Sequence, residues 1–190
     1  MARVPYLSKS DLKPEDQELL ARDINLNRAL VHSPNGTRAF GRLGGFIRNQ
    51  SRLDARLREM AILQVGYVAR SKYEYSHHIK IGHDFGVTDD DIRAIAAETA
   101  GDPTELEPLA RAVLACAREM ALEGAASDAT WAALTAELDT EHLTDLAITI
   151  AFYCGVVRLL ETLQIDVEPE YDHYLEEFPL PLKGLPNLIG

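Results

Sequence analysis

The densest cluster of ionisable side chains beside apolar sequence lies at residues 71–78, which read SKYEYSHH. On a helix, positions 71, 74 and 78 fall at i, i+3 and i+7, so they share one face. This face carries the hydroxyl of Ser71, the carboxylate of Glu74 and the imidazole of His78. The line begins at a predicted helix N-terminus, where the helix dipole favours negative charge.

A second carboxylate, Glu59, lies on the preceding predicted helix, twelve residues before Ser71. If the two helices pack antiparallel across the short joint, Glu59 could face Glu74 and His78. Two carboxylates and an imidazole in a partly dry pocket are what general acid–base catalysis requires, because neighbouring charges shift their pKa values and an imidazole shuttles protons near neutrality. The alternative is a solvated Glu74–His78 pair, worth about a few tenths of a kcal/mol.

Other side chains of the cluster leave several interpretations open. Tyr73, next to Glu74, could line a substrate pocket or serve aromatic packing. His77 points about 100° round the helix from His78, which suits a structural role, a subunit contact or a place at the pocket wall. A metal bound by Glu74 and His78 at i, i+4 with Glu59 is a further alternative, but no HExxH or second ligand cluster supports it. We therefore predict neither a metal nor a cofactor.

Helical spacing dominates the chain and strand-like alternation is scarce, so the sequence predicts an all-α fold. The predicted helices are approximately Arg22–Val31, Thr37–Arg48, Leu53–Ala69, Lys72–Phe85, Asp89–Glu98, Pro108–Glu123, Ala129–Glu137 and Thr140–Leu163.

Three local features refine this prediction. The segment at 33–36, with Ser33, Pro34, Asn35 and Gly36, is typical of a turn before the second helix. Trp131 follows a predicted helix cap and is expected in the core. Glycines within the second helix lower its helix propensity, and a close approach between helices would explain them: Gly41, Gly44 and Gly45.

Residues 1–165 are predicted to form one domain, and residues 166–190 an extended C-terminal tail. Prolines in the tail prevent long helices, and its hydrophobic anchors favour packing on a surface, of which a neighbouring subunit is one candidate. The prolines are Pro169, Pro179, Pro181 and Pro186, and the anchors are Tyr171, Tyr174, Phe178, Leu180 and Leu182.

Composition excludes several classes of function. A formal net charge of −11 repels phosphate backbones, so nucleic acid is not expected as a partner. No uninterrupted apolar stretch of membrane-spanning length and no secretory signal are apparent, so we expect a cytoplasmic protein without a membrane partner. Cys116 and Cys154 lie far apart in apolar helical stretches and form no CxxC motif. GxGxxG, P-loop and GxSxG motifs do not occur.

Residues 25–86 resemble the carboxymuconolactone decarboxylase/AhpD-like superfamily, and weaker likeness extends the match over most of the chain. The resemblance implies a helical bundle with the two-helix AhpD-like core, assembled as a homo-oligomer, a trimer or hexamer. It is carried by Arg38-Ala39-Phe40, Leu43-Gly44-Gly45-Phe46, Leu57-Arg58-Glu59-Met60-Ala61-Ile62-Leu63, Tyr73-Glu74-Tyr75-Ser76-His77-His78, Ser127-Asp128-Ala129-Thr130-Trp131 and Ala151-Phe152-Tyr153.

Thiol-active members of that superfamily carry a Cys-x-x-Cys-x-x-x-His motif and an upstream glutamate. By resemblance, Glu59 matches the glutamate and His78 the histidine, whereas Ser71 and Glu74 stand at the two cysteine positions. A serine provides no thiolate and forms no disulfide, so the peroxidase cycle of those relatives cannot run here. An alkylhydroperoxidase or peroxiredoxin-like function is thus the disfavoured alternative.

The decarboxylase branch implies cofactor-free acid–base chemistry on a small organic acid or lactone. Loss of carbon dioxide leaves a carbanion that must be delocalised and then protonated by an acid. We assign that acid to His78, with Glu59 or Glu74 tuning its pKa, and a non-catalytic helical ligand-binding module remains a third alternative. The predicted catalytic residues are Glu59, Glu74 and His78, and the predicted substrate-binding residues are Ser71, Tyr73, His77 and Tyr153.

Overall fold

The computed structural model describes residues 2–181, and within this range the chain forms nine α-helices and no strand. The all-α prediction is therefore confirmed. The helices are α1 (Asn25–Leu30), α2 (Pro34–Asn49), α3 (Ala55–Val68), α4 (Lys72–Asp84), α5 (Asp89–Ala100), α6 (Pro108–Leu122), α7 (Asp128–Thr135), α8 (Thr140–Leu163) and α9 (Asp172–Glu177). Short 3₁₀ segments lie at Lys9–Asp11, Pro14–Leu20 and Pro169–Tyr171.

Helix α3 is the centre of the bundle. Every residue from Leu57 to Val68 is buried, and α3 packs against α4, α5, α6 and α8. A helix that is covered on all sides carries mostly apolar residues, and a charged group within it must find a partner inside the protein. Glu59 is such a group, so its position in α3 determines that it belongs to a buried network.

A three-residue joint turns the chain from α3 back along α4. Arg70 adopts the left-handed region with φ of 56°, and the Ser71 hydroxyl caps α4 by accepting a hydrogen bond from the Glu74 N–H at 3.4 Å. The two helices come close at Gly66, where an added Cβ would lie 3.3 Å from the backbone nitrogen of Tyr75. The joint therefore sets the antiparallel packing that was predicted from the sequence.

The glycines of α2 have a different role from the predicted close approach. A Cβ added at Gly41 or Gly45 meets nothing within 4 Å, and one at Gly44 meets only the Phe152 ring at 3.8 Å. The explanation proposed from the sequence is wrong for α2, and it fits Gly66 instead. The missing side chains of α2 leave open space in front of this helix.

Two alanine substitutions test this difference directly. Gly45→Ala is expected to raise the free energy of unfolding by about 1 kcal/mol, because alanine has the higher helix propensity and the site is open. Gly66→Ala is expected to lower it by about 1–3 kcal/mol, because the neighbouring backbone of α4 has to move. Urea denaturation of the two variants measures both values, and equal effects of the same sign would contradict the packing described.

Two other local predictions are wrong. Residues 33–36 do not form a separate turn; Ser33 is the N-cap of α2 and Pro34 its first residue, a position that tolerates proline because its N–H would have no helical partner. Trp131 is 43% exposed rather than in the core. The short helix α7 buries Thr130 and Leu134 instead, and this directs Trp131 outward.

The described part of the tail packs on its own chain. Phe178 is buried in a cluster with residues of α3, α4, α5 and α6, and α9 contacts α4. Up to residue 181 the tail contains only short helical segments, as its prolines predict. Leu182 and Pro186 lie outside the described residues. Packing on a neighbouring subunit and assembly as a trimer or hexamer stay predictions.

Helix α8 has the predicted bounds, Thr140–Leu163. Its length and composition alone would allow it to cross a membrane, but the core helix of a soluble bundle passes the same test. Half of its most apolar window is buried in this fold, where α8 packs against α3, α4, α6 and α7. We therefore describe α8 as a bundle helix, and it positions Tyr153 beside α4.

Candidate active site

Glu59 and His78 meet between α3 and α4. The Nδ1 atom of His78 lies 2.7 Å from Glu59 Oε2, and the two residues are 4% and 1% exposed, respectively. The antiparallel packing predicted from the joint at Ser71 brings them together. Because the pair is shielded from water, its electrostatic coupling is much stronger than that of a surface pair.

Arg58 supports Glu59 from the other side. Its Nε and Nη2 atoms donate to Glu59 Oε1 at 3.1 Å and 3.0 Å. The guanidinium is itself buried and lies over the Phe85 ring, 4.6 Å from the ring centroid. Both oxygens of Glu59 are thus engaged, which fixes the carboxylate and the orientation of the imidazole.

Glu74 approaches the other nitrogen of His78. Its Oε1 atom lies 2.9 Å from Nε2, within ion-pair distance. Within residues 2–181, Glu74 Oε1 is a buried acceptor without a hydrogen-bond partner. An unsatisfied buried acceptor of this kind is costly, so it marks a place where a ligand can donate.

The two carboxylates keep His78 protonated. Burial alone would lower the pKa of His78, but the charges of Glu74 and Glu59 outweigh it and raise the pKa to about 9. Burial would likewise raise the pKa of Glu59, whereas His78 and Arg58 lower it below its usual value. At neutral pH the network consists of alternating charges, with two cations and two carboxylates.

A cavity of about 270 Å³ opens in front of His78, between α1, α2, α4 and α8. We call it the site cavity. Glu59 does not line it and stands behind His78, so Nε2 is the imidazole nitrogen on the cavity side. Its apolar walls comprise Ile24, Leu26, Phe40, Ile81, Phe152 and Val156, and its polar lining includes Arg22, Arg48, Tyr73, Glu74, His77, His78 and Tyr153.

Tyr153 brings a neutral donor to the cavity. Its ring packs edge-on against His78, with the centroids 5.0 Å apart. Burial and the nearby charges of Glu74 and Glu59 raise the pKa of Tyr153 well above its usual value, so the phenol keeps its proton. Its hydroxyl makes no hydrogen bond to other residues in the described part of the chain, and it remains available to a ligand.

Tyr73 and His77 line the cavity as a fixed wall. His77 is stacked between Tyr73 and Tyr171, with centroid distances of 4.1 Å and 3.7 Å. Glu168 accepts a hydrogen bond from Tyr73 Oη at 3.1 Å and contacts His77 Nε2 at 2.7 Å. Glu168 of the tail therefore engages the Tyr73 hydroxyl and the Nε2 atom of His77.

Besides Glu59, Ser71 is the predicted site residue that does not line the site cavity. Its hydroxyl is used as the N-cap of α4, which orients Glu74 and His78 along the helix. The other predicted residues converge around His78. Among residues 2–181 no group of three His, Cys, Asp or Glu side chains has a geometry that could hold a metal.

Sequence reasoning missed the contribution of α2. Gly41, Gly44, Gly45 and Arg48 fall at i, i+3, i+4 and i+7, so they share a face, and that face lines the site cavity. The spacing was a usable signal. By contrast, Glu168 is some ninety residues from its partners, Tyr73 and His77, and no local pattern predicts that contact.

Comparison with known proteins agrees with this architecture. The model of the carboxymuconolactone decarboxylase family matches residues 34–119, a range that includes α2, α3 and α4 with Glu59, Glu74 and His78. Over these residues the chain is similar to the carboxymuconolactone decarboxylase family. The resemblance inferred from the sequence is thereby confirmed.

Several solved structures share the fold. An uncharacterised peroxidase-related protein with an alkylhydroperoxidase AhpD core, from Ralstonia eutropha JMP134, is 19% identical with a TM-score of 0.76, over 95% of this chain and 98% of that one. The debrominase Bmp8 is 22% identical with a TM-score of 0.78, over 93% and 97%. A cysteine-to-alanine variant of Bmp8 in complex with 2,3,4-tribromopyrrole is 19% identical with a TM-score of 0.79, over 94% and 98%. Among curated proteins no relative matches the chain.

Proposed function

We propose that this protein is a cofactor-independent acid–base enzyme that decarboxylates or isomerises a small organic acid or lactone. The observation that carries the proposal is the buried imidazole of His78, held between Glu59 and Glu74 at the wall of a small cavity. A proton donor with a pKa of about 9 is charged at neutral pH and still acidic enough to protonate a carbanion. The family includes enzymes, which supports an active site here.

In the decarboxylation, the bond between the carboxylate carbon and the substrate skeleton breaks and carbon dioxide leaves. The electron pair of this bond moves into the conjugated system and gives a dienolate. The proton on His78 Nε2 then adds to the carbon at the end of that system, and neutral His78 regains a proton from solvent. In an isomerisation, the same nitrogen exchanges a proton between two carbons without loss of carbon dioxide.

The neighbours of His78 divide the remaining work. Glu59 accepts a hydrogen bond from Nδ1–H of His78. Its negative charge favours the return of a proton to His78 after each turnover. Tyr153, as a neutral phenol, can donate a hydrogen bond to the dienolate oxygen and so stabilise the charge that develops there. Glu74 Oε1 is free to accept a hydrogen bond from the substrate.

The proposed function is tested with 4-carboxymuconolactone and other unsaturated lactone acids in deuterium oxide. We expect release of carbon dioxide, or a shift of the double bond, together with incorporation of one deuterium at carbon, seen by NMR. If the acids bind without carbon dioxide release or deuterium incorporation, the protein is a ligand-binding module and the enzymatic proposal fails.

A thiol peroxidase is the competing interpretation, because a solved relative is described as peroxidase-related. The cysteines oppose it. Burial, with a smaller effect from Glu119, raises the pKa of Cys116 to about 11, and burial also raises that of Cys154. Little thiolate is therefore present at neutral pH in either residue.

Thiol alkylation separates the two functions. We expect the protein to consume no hydroperoxide, and we expect N-ethylmaleimide treatment to leave turnover of a lactone acid unchanged. The Cys116→Ala/Cys154→Ala variant is the control for incomplete alkylation. Hydroperoxide consumption that disappears upon alkylation would favour the peroxidase over the acid–base enzyme.

A further inference from the structure

Two arginines that line the site cavity, Arg22 and Arg48, form no ion pair with a carboxylate of the described residues, and Arg48 is the less exposed of the two. It is half-buried on α2 and lines the site cavity, yet within residues 2–181 it forms no ion pair or hydrogen bond. It is close enough to Tyr153 for its charge to act on the phenol. Other arginines of the described chain do pair with carboxylates: Arg28, Arg38, Arg52, Arg56, Arg58 and Arg93.

The charges around the cavity favour an anionic occupant. Arg58 and His78 balance Glu59 and Glu74, so this buried network is neutral overall when His78 is protonated. Arg48 adds a positive charge that no carboxylate of the described residues neutralises. A guanidinium has the planar donor pair that matches a carboxylate, so its natural partner here is a ligand carboxylate.

Glu74 gives a second, independent requirement. Its Oε1 atom is buried, borders the cavity and accepts no hydrogen bond from the described residues. A ligand that fills the cavity without donating to this oxygen would leave it desolvated, with its ion pair to His78 but without a hydrogen bond. An occupant that carries an O–H or N–H group as well as an anionic group is therefore preferred.

The walls of the site cavity limit the size and shape of this ligand. Phe40 and Phe152 form one side, with ring centroids 4.9 Å apart. Open space in front of Gly41 and Gly45 leaves room for a flat group beside them. A cavity of about 270 Å³ with aromatic and aliphatic walls suits a single small ring.

We propose that the site cavity selects monocyclic acids in which a carboxylate that is kept in the product pairs with Arg48, and an O–H or N–H group donates to Glu74 Oε1. This assignment rests on the proposed function for the site and narrows its substrate class. Arg48 is then a specificity-determining residue that binds the carboxylate, and Glu74 accepts a hydrogen bond from the polar substituent.

Calorimetric titration with non-reacting probes tests the assignment. The probes are benzoate, 3-hydroxybenzoate and 4-hydroxybenzoate, with benzyl alcohol as the uncharged comparison. Wild-type protein is expected to bind all three acids, and at least one hydroxybenzoate about tenfold more tightly than benzoate. Arg48→Gln should weaken binding of all acids at least tenfold, and Arg48→Lys less. Glu74→Gln should reduce the gain that the hydroxyl provides.

Arg42→Gln is the matched control, because Arg42 is an exposed arginine on the same helix that does not line the cavity. It should bind every probe as wild type does, and thermal melting should show that all variants are folded. Absence of acid binding, equal binding by Arg48→Gln, or no gain from either hydroxyl would overturn the assignment. Because binding is measured without turnover, probe binding without catalysis would reject only the proposed enzymatic function.

Discussion

Replacing His78 by glutamine is expected to abolish turnover and to lower the free energy of unfolding by about 3–5 kcal/mol. Turnover is lost because the proton donor of the cavity is removed. Stability is lost because Glu59 and Glu74, both at most 3% exposed, would face each other without the cation between them. Carbon dioxide release and urea denaturation followed by circular dichroism measure the two effects.

Two further variants separate the network from a general effect of losing a histidine. His83→Gln removes a histidine of the same helix whose partner, Asp89, is largely exposed, so it should change stability by less than about 1 kcal/mol. The double variant His78→Gln/Glu59→Gln should be more stable than additivity predicts, because removing one carboxylate relieves the repulsion. Additive effects, or a His78→Gln protein with full turnover, would refute the role assigned to this network.

Glu59→Gln is expected to move the pH dependence of turnover to lower pH. With wild-type protein, activity should fall as pH rises through about 9, because His78 must be protonated to act as an acid. Without the charge of Glu59, the pKa of His78 falls. The loss of activity on the alkaline side of the pH–rate profile therefore begins at a lower pH. A pH–rate profile with a substrate that the wild type turns over measures the shift, and an unchanged alkaline limb would show that another group donates the proton.

The same pKa shifts determine how stability varies with pH. The pKa of His78 is raised on folding, so its contribution is complete below about 6.5 and is lost as pH rises through about 9. The pKa of Glu59 is lowered, so its contribution is complete above about 4.5 and is lost as pH falls below that value. The network therefore stabilises the fold most between about pH 4.5 and about pH 6.5, where both contributions are complete. The free energy of unfolding of wild type and of Glu59→Gln, compared across this pH range, measures the contribution of Glu59 to stability.

Much of the helical architecture could be predicted because its determinants are local. The bounds of α8 follow from its apolar periodicity and its cap at Asp139. The convergence of Glu59 with His78 could be anticipated because a short joint between two helices leaves few packing arrangements. Ser71 belonged to the same pattern, but its hydroxyl is satisfied by capping rather than by facing the cavity. Spacing alone does not distinguish these two uses of a serine.

Other features depend on contacts between distant segments. The Glu168 contacts hold Tyr73 and His77 in place, and they arise only once the tail has folded back over α4. Trp131 is exposed because a two-turn helix has room to bury only one side, and Leu134 takes it. The open space before Gly45 could not be distinguished from a close helix contact without the neighbouring elements.

The protonation state of His78 is the quantity on which the catalytic account depends. Nitrogen-15 NMR of the imidazole, assigned by comparison with His78→Gln, measures it directly as a function of pH. We predict that both ring nitrogens carry a proton at neutral pH and that the ring titrates near pH 9. A ring that is neutral at pH 7, with a pKa at or below the usual value of about 6.5, would contradict the account.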